Sequence, residues 1–188
     1  MKLDIIFAGV GGQGIVSIAS MLAFAASEKG FAVKQNEVHG MAQRGGSVAC
    51  HVRISDKSVW AGIIPKGSAD FILSIEPMEG LRYAGYLSPS GIIISGNQPV
   101  KNIDYPDENR VISAIKKHEG SVVIDTAALA DKLKNTKAAN IILLGALIKK
   151  IGLFGPEMES LIKKRFASKG ESVVDINLKA FNAGMSNI

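Results

Sequence analysis

Hydrophobic and polar positions change their period several times along this chain, which predicts strands and helices in alternation. Leu3 to Ala8 is a short apolar run, typical of a buried strand. A cluster of glycines follows it, and Ile15 to Lys29 then has the composition of a helix that Gly30 would end. Phe31 to Lys34 has the apolar content of a second strand. The start of the chain is therefore predicted to be strand, tight turn, helix and strand.

Residues 47 to 55 have the strict alternation of a strand with two different faces. The apolar face carries Cys50, and the opposite face carries His51. Asp56-Lys57 has the composition of a turn into Val59 to Ala61, which predicts an antiparallel hairpin between the two runs. We expect Cys50 to lie inward as an inert thiol and His51 to face solvent or an interface.

Later apolar, β-branched runs predict three more strands, at Phe71–Ile75, Ile92–Ser95 and Val122–Ile124. A helix is predicted from Pro77 to Tyr86, because proline is favourable at a first helical position. Another helix should begin after a cap at Asp125 or Thr126. From Asn140 onward the chain is predicted to be mainly helical.

This order of elements predicts an α/β fold of the Rossmann-like kind. The expected architecture is a mostly parallel sheet with helices on both faces, an antiparallel hairpin and a helical C-terminal part. A chain of 188 residues with 47% hydrophobic content can bury one substantial core. We therefore expect residues 1–188 to form a single domain.

The charge balance leaves several kinds of partner open. Lys and Arg outnumber Asp and Glu by 22 to 17, a net charge of +5 that could attract phosphate ligands, acidic protein surfaces or nucleic acid. The basic pairs, such as Lys163-Lys164-Arg165, lie in segments predicted to be helical and have no aromatic residues between them. We therefore expect no nucleic-acid partner.

Cysteine content and hydropathy restrict the compartment and the metal chemistry. Cys50 is the one cysteine, which excludes an intrachain disulfide and any cluster held by several thiolates of this chain. Asp4 stands where a signal peptide would be apolar, and no run approaches the roughly 20 apolar residues that span a bilayer. We expect a soluble, cytoplasmic protein that does not enter a membrane.

Residues 9 to 14, Gly-Val-Gly-Gly-Gln-Gly, match the G-x-G-x-x-G pattern between the first strand and the first helix. Glycines permit a tight turn and leave backbone amides open to a phosphate at the helix N-terminus. The alternative is that the glycines only let the helix pack closely on the strand. The candidate binding residues here are Gly9, Gly11, Gly12, Gln13 and Gly14.

A nicotinamide enzyme would have an acidic residue about 20 residues beyond this turn, to bind the adenosine ribose. Lys34, Gln35 and Asn36 stand near that place, and Glu37 is the nearest acid. An independent NAD(P)- or flavin-binding Rossmann oxidoreductase is therefore an alternative that the residues favour less.

A second glycine-rich segment runs from Glu37 to Gly46 and mixes charges, amides and a thioether. Gly45-Gly46 can present consecutive amides, and the guanidinium of Arg44 suits a carboxylate or phosphate. An anion site or a partner contact is one interpretation, and an ordered loop with an Arg44–Glu37 ion pair is the other. The candidates from this segment are Glu37, Gln43, Arg44, Gly45 and Gly46.

Taken together, Gly-x-Gly-Gly-Gln-Gly and Glu-Val-x-Gly-Met-Ala-Gln-Arg-Gly-Gly-Ser-Val resemble the gamma subunit or domain of 2-oxoacid:ferredoxin oxidoreductases. Glu76-Pro77-Met78-Glu79 and the segment that begins at Asn140 are also similar to that family. Glu76 would serve a site or cap a helix, and Asn140 would cap a helix or contact a ligand or partner. Within the family, the chain most resembles the beta subunit of the indolepyruvate enzymes.

The resemblance implies a reaction in which a 2-oxoacid and coenzyme A become an acyl-CoA and carbon dioxide while ferredoxin accepts the electrons. It implies a hetero-oligomer, in which a larger alpha-type subunit carries thiamine diphosphate, Mg²⁺ and the iron–sulfur clusters. This chain would assist coenzyme A binding and assembly and would be inactive alone. One cysteine agrees with that division, since a cubane cluster needs several thiolates.

Overall fold

The computed structural model describes residues 1–40, 45–101 and 104–188. The strands are β1 (Lys2–Val10), β2 (Ala32–His39), β3 (Ser47–Ser55), β4 (Ala69–Ser74), β5 (Leu87–Gly96) and β6 (Val122–Ile124). The helices are α1 (Ile15–Glu28), α2 (Pro77–Arg82), α3 (Glu108–Lys116), α4 (Thr126–Lys132), α5 (Ala139–Ile151), α6 (Gly155–Phe166) and α7 (Glu171–Ser186). Short 3₁₀ turns follow α2 at Ala84–Tyr86 and α6 at Ala167–Lys169.

The six strands form a sheet in the order β2-β3-β1-β4-β5-β6. Strands β1, β4, β5 and β6 pair in parallel, whereas β3 is antiparallel to both of its neighbours, β1 and β2. The chain leaves β1 through α1 to the edge strand β2 and then turns back to insert β3 between them. The predicted Rossmann-like sheet, mostly parallel and with an antiparallel pair, is confirmed.

The predicted position of the hairpin is wrong. Its two strands are β2 and β3, and residues 59–61 form no strand. Both edges of β3 are already occupied, by β1 and by β2, so no edge is open to a further strand. The segment instead crosses the sheet, where Arg53 donates to the carbonyls of Ala61 at 3.1 Å and Ile63 at 3.3 Å.

His51 was expected at a solvent-facing or interface position, and this expectation is also wrong. The same crossing segment covers the side chain, which is buried, and its Nδ1 accepts a hydrogen bond from the Ile64 amide at 3.1 Å. The ring also meets Tyr86 edge-on, with centroids 5.8 Å apart. Burial, and then the nearby charge of Arg53, lower the pKa of His51, so the imidazole is a structural hydrogen-bond acceptor.

Helices cover both faces of the sheet, as predicted. Because side chains alternate along a strand, Ile5 and Phe7 of β1 join the core beneath α1, α5 and the C-terminal helices. Ile6 points to the opposite face and joins a smaller cluster beneath α2 and α3. The buried carboxylate of Asp4 pairs with the half-buried guanidinium of Arg53 at 2.8 Å, which fixes the start of β1 to β3.

Helix α5 lies between the sheet and α7 and is buried from Ile141 to Ile148. Two glycines let α5 and α7 approach within backbone contact. A Cβ atom on Gly145 would lie 2.1 Å from the Phe181 carbonyl oxygen, and one on Gly184 would lie 1.8 Å from that of Ile142. The position of α5 on the sheet therefore depends on glycine at this crossing.

Two predicted helix starts, the cap at Asp125 and the first position at Pro77, are confirmed. Asp125 caps α4 by accepting a hydrogen bond from the Ala128 amide at 3.0 Å. Helix α2 begins at Pro77, although it ends at Arg82 and continues only as a 3₁₀ turn. Within the ranges that the structure describes, no helix is long and apolar enough to cross a membrane.

Replacing Gly184 by alanine is expected to lower the free energy of unfolding by about 3 kcal/mol, because α7 must move away from α5 to admit the methyl group. Gly155→Ala is the matched control, since a Cβ on this helical glycine meets no atom within 4 Å. Its effect should stay within about 0.5 kcal/mol. Urea-induced unfolding of both variants checks the expectation, and equal midpoints would contradict it.

Candidate functional site

A cavity with a volume of about 1150 Å³ lies where β1 passes into α1. Its floor is the glycine turn, one wall is the first part of α1, and the opposite wall comes from the C-terminal end of α6. His39 and Gly40, at the end of β2, close a third side. The site thus joins the beginning of the chain with a helix about 150 residues away in sequence.

The glycine turn takes a backbone conformation that side chains would oppose. Gly12 has φ +101° and Gly14 has φ +82°, both in the left-handed region. Around a Cβ built on Gly12 there is no atom within 4 Å, so this part of the turn opens into the cavity. Gly11 also lines the cavity. The predicted candidates Gly11, Gly12 and Gly14 therefore face one shared space.

Gln13 belongs to the framework of the turn. Its side-chain Oε1 accepts a hydrogen bond from the Val10 backbone amide at 2.8 Å, and the backbone amide of Gln13 donates to the Val10 carbonyl at 3.1 Å. Gly9 leaves room for this arrangement, because a Cβ there would lie 2.7 Å from that Oε1 atom. Both residues hold the turn closed, and neither lines the cavity.

Asn140 contacts the same turn from behind. The interpretation as a helix cap is wrong, since α5 is preceded by Ala138 and has no side-chain cap. The Asn140 Nδ2 instead donates to the Gln13 carbonyl at 3.2 Å. A Cβ on Gly14 would approach this nitrogen to 2.6 Å. Asn140 therefore orients the peptide between Gln13 and Gly14, through which the turn enters α1.

Several backbone amides of cavity-lining residues are left without a hydrogen-bond acceptor among the described residues. Within the described part of the chain, the backbone amides of Gly12, Gly14 and residues 15–17 donate no hydrogen bond to another described residue, and the first amide of α1 that does is that of Ile18, to the Gly14 carbonyl at 3.2 Å. Such amides, together with the helix dipole, form an environment that favours an anion. The Gly11 amide is excluded from this group, because it donates to the Gly46 carbonyl at 2.8 Å.

Two basic side chains that are distant from the turn in sequence complete the cavity. Lys164 and Arg165 line it from α6, and the Arg165 Nη2 donates to the Ser17 hydroxyl at 2.7 Å. At the other end of α1, Lys29 pairs with Glu157 at 3.0 Å, so the two helices run antiparallel. The basic end of α6 thus lies beside the N-terminus of α1, and sequence spacing carries no signal of this pairing.

The second glycine segment joins the first by its backbone. Besides the bond from Gly11 to Gly46, the Gly40 amide donates to the Ser47 carbonyl at 3.3 Å. Gly45 has φ +76°. Gln43 and Arg44 lie outside the described residues, so the ion pair suggested between Arg44 and Glu37 stays a prediction.

Glu37 lies on β2, which continues to His39 and does not end near Lys34 as predicted. Its exposed carboxylate accepts from Gln35 Nε2 at 3.4 Å. Alternate residues of a strand share a face, so Glu37 is on the same side of the sheet as the cavity-lining His39. The structure therefore brings Glu37 near the rim of the site.

Glu76 lies apart from the cavity, although it follows β4 at the same end of the sheet. Its buried carboxylate caps α2 by accepting from the Glu79 amide at 2.8 Å, which confirms the capping interpretation. It also accepts from the Tyr105 hydroxyl at 2.5 Å. Burial, and then this carboxylate, raise the pKa of Tyr105. The hydrogen bond from the phenol links the segment before α3 to the start of α2.

Cys50 is buried in the core beneath α1, as predicted. Burial, with a smaller effect from the charge of Glu37, raises the pKa of its thiol from 9.0 to about 12. The thiol is therefore neutral at physiological pH, and the side chain acts as a small apolar residue.

Comparison with known proteins identifies similar chains over nearly the full length. Residues 4–187 match the family described as pyruvate ferredoxin/flavodoxin oxidoreductase. The indolepyruvate oxidoreductase subunit IorB of Archaeoglobus fulgidus is 37% identical over 98% of this chain and 94% of its own. That of Pyrococcus horikoshii is 35% identical over 98% of this chain and 95% of its own.

Solved structures share the fold. Pyruvate oxidoreductase subunit PORC of Thermotoga maritima has a TM-score of 0.75 at 27% identity, with 99% of this chain and 96% of that chain covered. The 2-oxoglutarate:ferredoxin oxidoreductase of Magnetococcus marinus, solved with 2-oxoglutarate, coenzyme A and succinyl-CoA bound, has a TM-score of 0.80 at 23% identity. This comparison covers 98% of the chain but only 30% of that longer one.

Replacing Asn140 by alanine is expected to loosen the glycine turn, because the Gln13 carbonyl loses its side-chain donor. We expect a loss of about 1 kcal/mol in the free energy of unfolding and faster hydrogen exchange at residues 12–16. Asn187→Ala is the matched control, since its Nδ2 donates to a backbone carbonyl, that of Ala183, on the exposed surface. Unchanged exchange at the turn in the Asn140 variant would count against this role.

Proposed function

This chain belongs to the pyruvate ferredoxin/flavodoxin oxidoreductase family, and we propose that it is the coenzyme A-holding accessory subunit of an indolepyruvate-type enzyme. In the proposed reaction, indolepyruvate and coenzyme A form an acyl-CoA and carbon dioxide, and ferredoxin accepts the electrons. The observation that carries the proposal is that the glycine turn, with amides that have no acceptor among the described residues, lines the same cavity as Lys164 and Arg165.

The choice of indolepyruvate is supported by the similarity of the whole chain. Subunits named for indolepyruvate oxidoreductase are 34 to 37% identical over nearly their full length. A common gamma subunit of pyruvate/ketoisovalerate oxidoreductases from Thermococcus kodakarensis is 28% identical. The comparisons give no support to an independent NAD(P)- or flavin-dependent enzyme.

Coenzyme A fits the chemistry of the cavity. Its pyrophosphate would accept hydrogen bonds from the amides of Gly12, Gly14 and the first turn of α1. Its 3′-phosphate would pair with Lys164 and Arg165, which form charge-assisted hydrogen bonds with phosphate oxygens. The volume of about 1150 Å³ is large enough for part of such a ligand.

The chemistry of bond cleavage and electron transfer would belong to the partner. Thiamine diphosphate, Mg²⁺ and iron–sulfur clusters, when bound there, would supply decarboxylation and the path of electrons. The residues of this chain do not fit a cluster, because the chain has one cysteine and its thiol is buried and neutral. The role of this chain would be to bind coenzyme A by its phosphates and present it to the larger subunit.

Reconstitution with the larger subunit tests the proposed function. We expect the complex to reduce ferredoxin only when indolepyruvate and coenzyme A are both present, and each subunit alone to be inactive. Turnover by the isolated chain, or a complex that is indifferent to coenzyme A, would overturn the proposal. Pyruvate and 2-oxoisovalerate as alternative substrates would test the choice of 2-oxoacid.

Removing both basic side chains of the cavity, by Lys164→Ala with Arg165→Ala, is expected to raise the KM for coenzyme A about tenfold with little change in kcat. The physical reason is the loss of charge-assisted contacts with a phosphate, so the effect should shrink as ionic strength rises. Lys163→Ala is the matched control, because this neighbouring lysine is exposed but does not line the cavity. If the control raised the KM for coenzyme A as much as the double variant does, net charge alone would explain the result.

A further inference from the structure

The wall of the cavity contains an aromatic side chain that the core does not use. Phe24 lies on α1, yet its side chain is 52% exposed, whereas Leu22 and Ala25 on the same helix are fully buried. Full burial of a phenylalanine side chain stabilises a fold by about 1.5–3 kcal/mol, and roughly half of that is not realised here. Phe24 lines the cavity together with Met21 and with Leu161 of α6. The cavity therefore has an apolar part in addition to its anion-binding part.

The two parts are separated along α1 by a distance that the helix geometry fixes. From Ile15 to Phe24 the axial rise is about 13 Å. Helical side chains lean toward the N-terminus of their helix, so the ring of Phe24 lies about 10 Å from the first-turn amides. A nucleotide has the same polarity, with phosphates at one end and a flat base at the other, joined by a ribose.

The basic side chains stand at the phosphate end. Arg165 is tied to Ser17 in the first turn of α1, and Lys164 precedes it on α6. Leu161 lies one helical turn earlier, opposite the apolar part. Both walls thus change from cationic or amide-rich to apolar in the same direction along the groove.

We propose that Phe24 is a specificity-determining residue that stacks on the adenine base of coenzyme A. This inference rests on the proposed function. There the phosphates of coenzyme A occupy the glycine turn, and here its adenine end is assigned to Phe24. Stacking of a base on an aromatic side chain contributes about 1–3 kcal/mol as measured by alanine substitution. The site would then select an adenine nucleotide over a phosphate group alone.

Titration calorimetry of the full-length chain with two probes tests this assignment. Adenosine 3′,5′-bisphosphate carries the base, and inorganic pyrophosphate does not. We expect Phe24→Ala to weaken binding of the bisphosphate about tenfold and to leave pyrophosphate binding unchanged. Phe24→Trp should restore or exceed the original affinity, because tryptophan offers a larger stacking surface.

Trp60→Ala is the matched control, since it removes an aromatic side chain that is 92% exposed and does not line the cavity. Its affinity for both probes should equal that of the original chain. Circular dichroism checks that each variant is folded, and Phe24→Leu, which keeps the apolar volume but not the ring, should resemble Phe24→Ala. Full retention of affinity by Phe24→Leu would show that shape, not stacking, is recognised, and would overturn the proposal.

Other outcomes separate this inference from the proposed function. Unchanged bisphosphate affinity in Phe24→Ala, or no binding of the bisphosphate by the original chain, overturns the stacking role. If Phe24→Ala keeps its affinity but no longer assembles with the larger subunit, Phe24 belongs to a protein interface. The proposed function stands in these cases as long as the Lys164 and Arg165 variants raise the KM for coenzyme A.

Discussion

The tight passage from β1 to α1 is the constraint on which the rest of this structure depends. The strand is buried on both faces and must release the chain into a helix within four residues, Gly11 to Gly14. Gly9 leaves space for the side chain of Gln13, which fastens the turn to Val10. With these bonds made inside the turn, the remaining amides are left for the cavity. The turn is thus at once the support of the helix and the floor of the site.

Packing far from the turn maintains that geometry. Asn140 lies on α5, which packs between the sheet and α7, and this position brings its side chain to the Gln13 carbonyl. The packing of α5 against α7 requires the close crossing at Gly145 and Gly184, where a Cβ atom on either residue would overlap backbone atoms of the facing helix. A substitution at the crossing would therefore disturb the site through α5 as well as lower the stability of the fold.

Charge at the cavity follows from the antiparallel arrangement of α1 and α6. The basic residues at the end of α6 interact favourably with the negative, C-terminal end of their own helix dipole, and this interaction would by itself explain why they are basic. Because α6 returns along α1, the same residues also lie beside the amide end of another helix. A stabilising feature of one helix thereby becomes an anion-attracting feature of the site.

The sequence by itself determined the alternation of strands and helices, the glycine turn and the buried strand with Cys50, because these depend on local periodicity and backbone conformation. It also carried the family, through two motifs read together. Tertiary structure decided what no local pattern contains: that β3 enters between β1 and β2 and so excludes a strand at residues 59–61, and that His51 is covered. It also decided that Asn140 holds the turn and that Lys164, Arg165 and Phe24 line one cavity. These contacts join segments that are distant in sequence, and helix packing determines whether such segments meet.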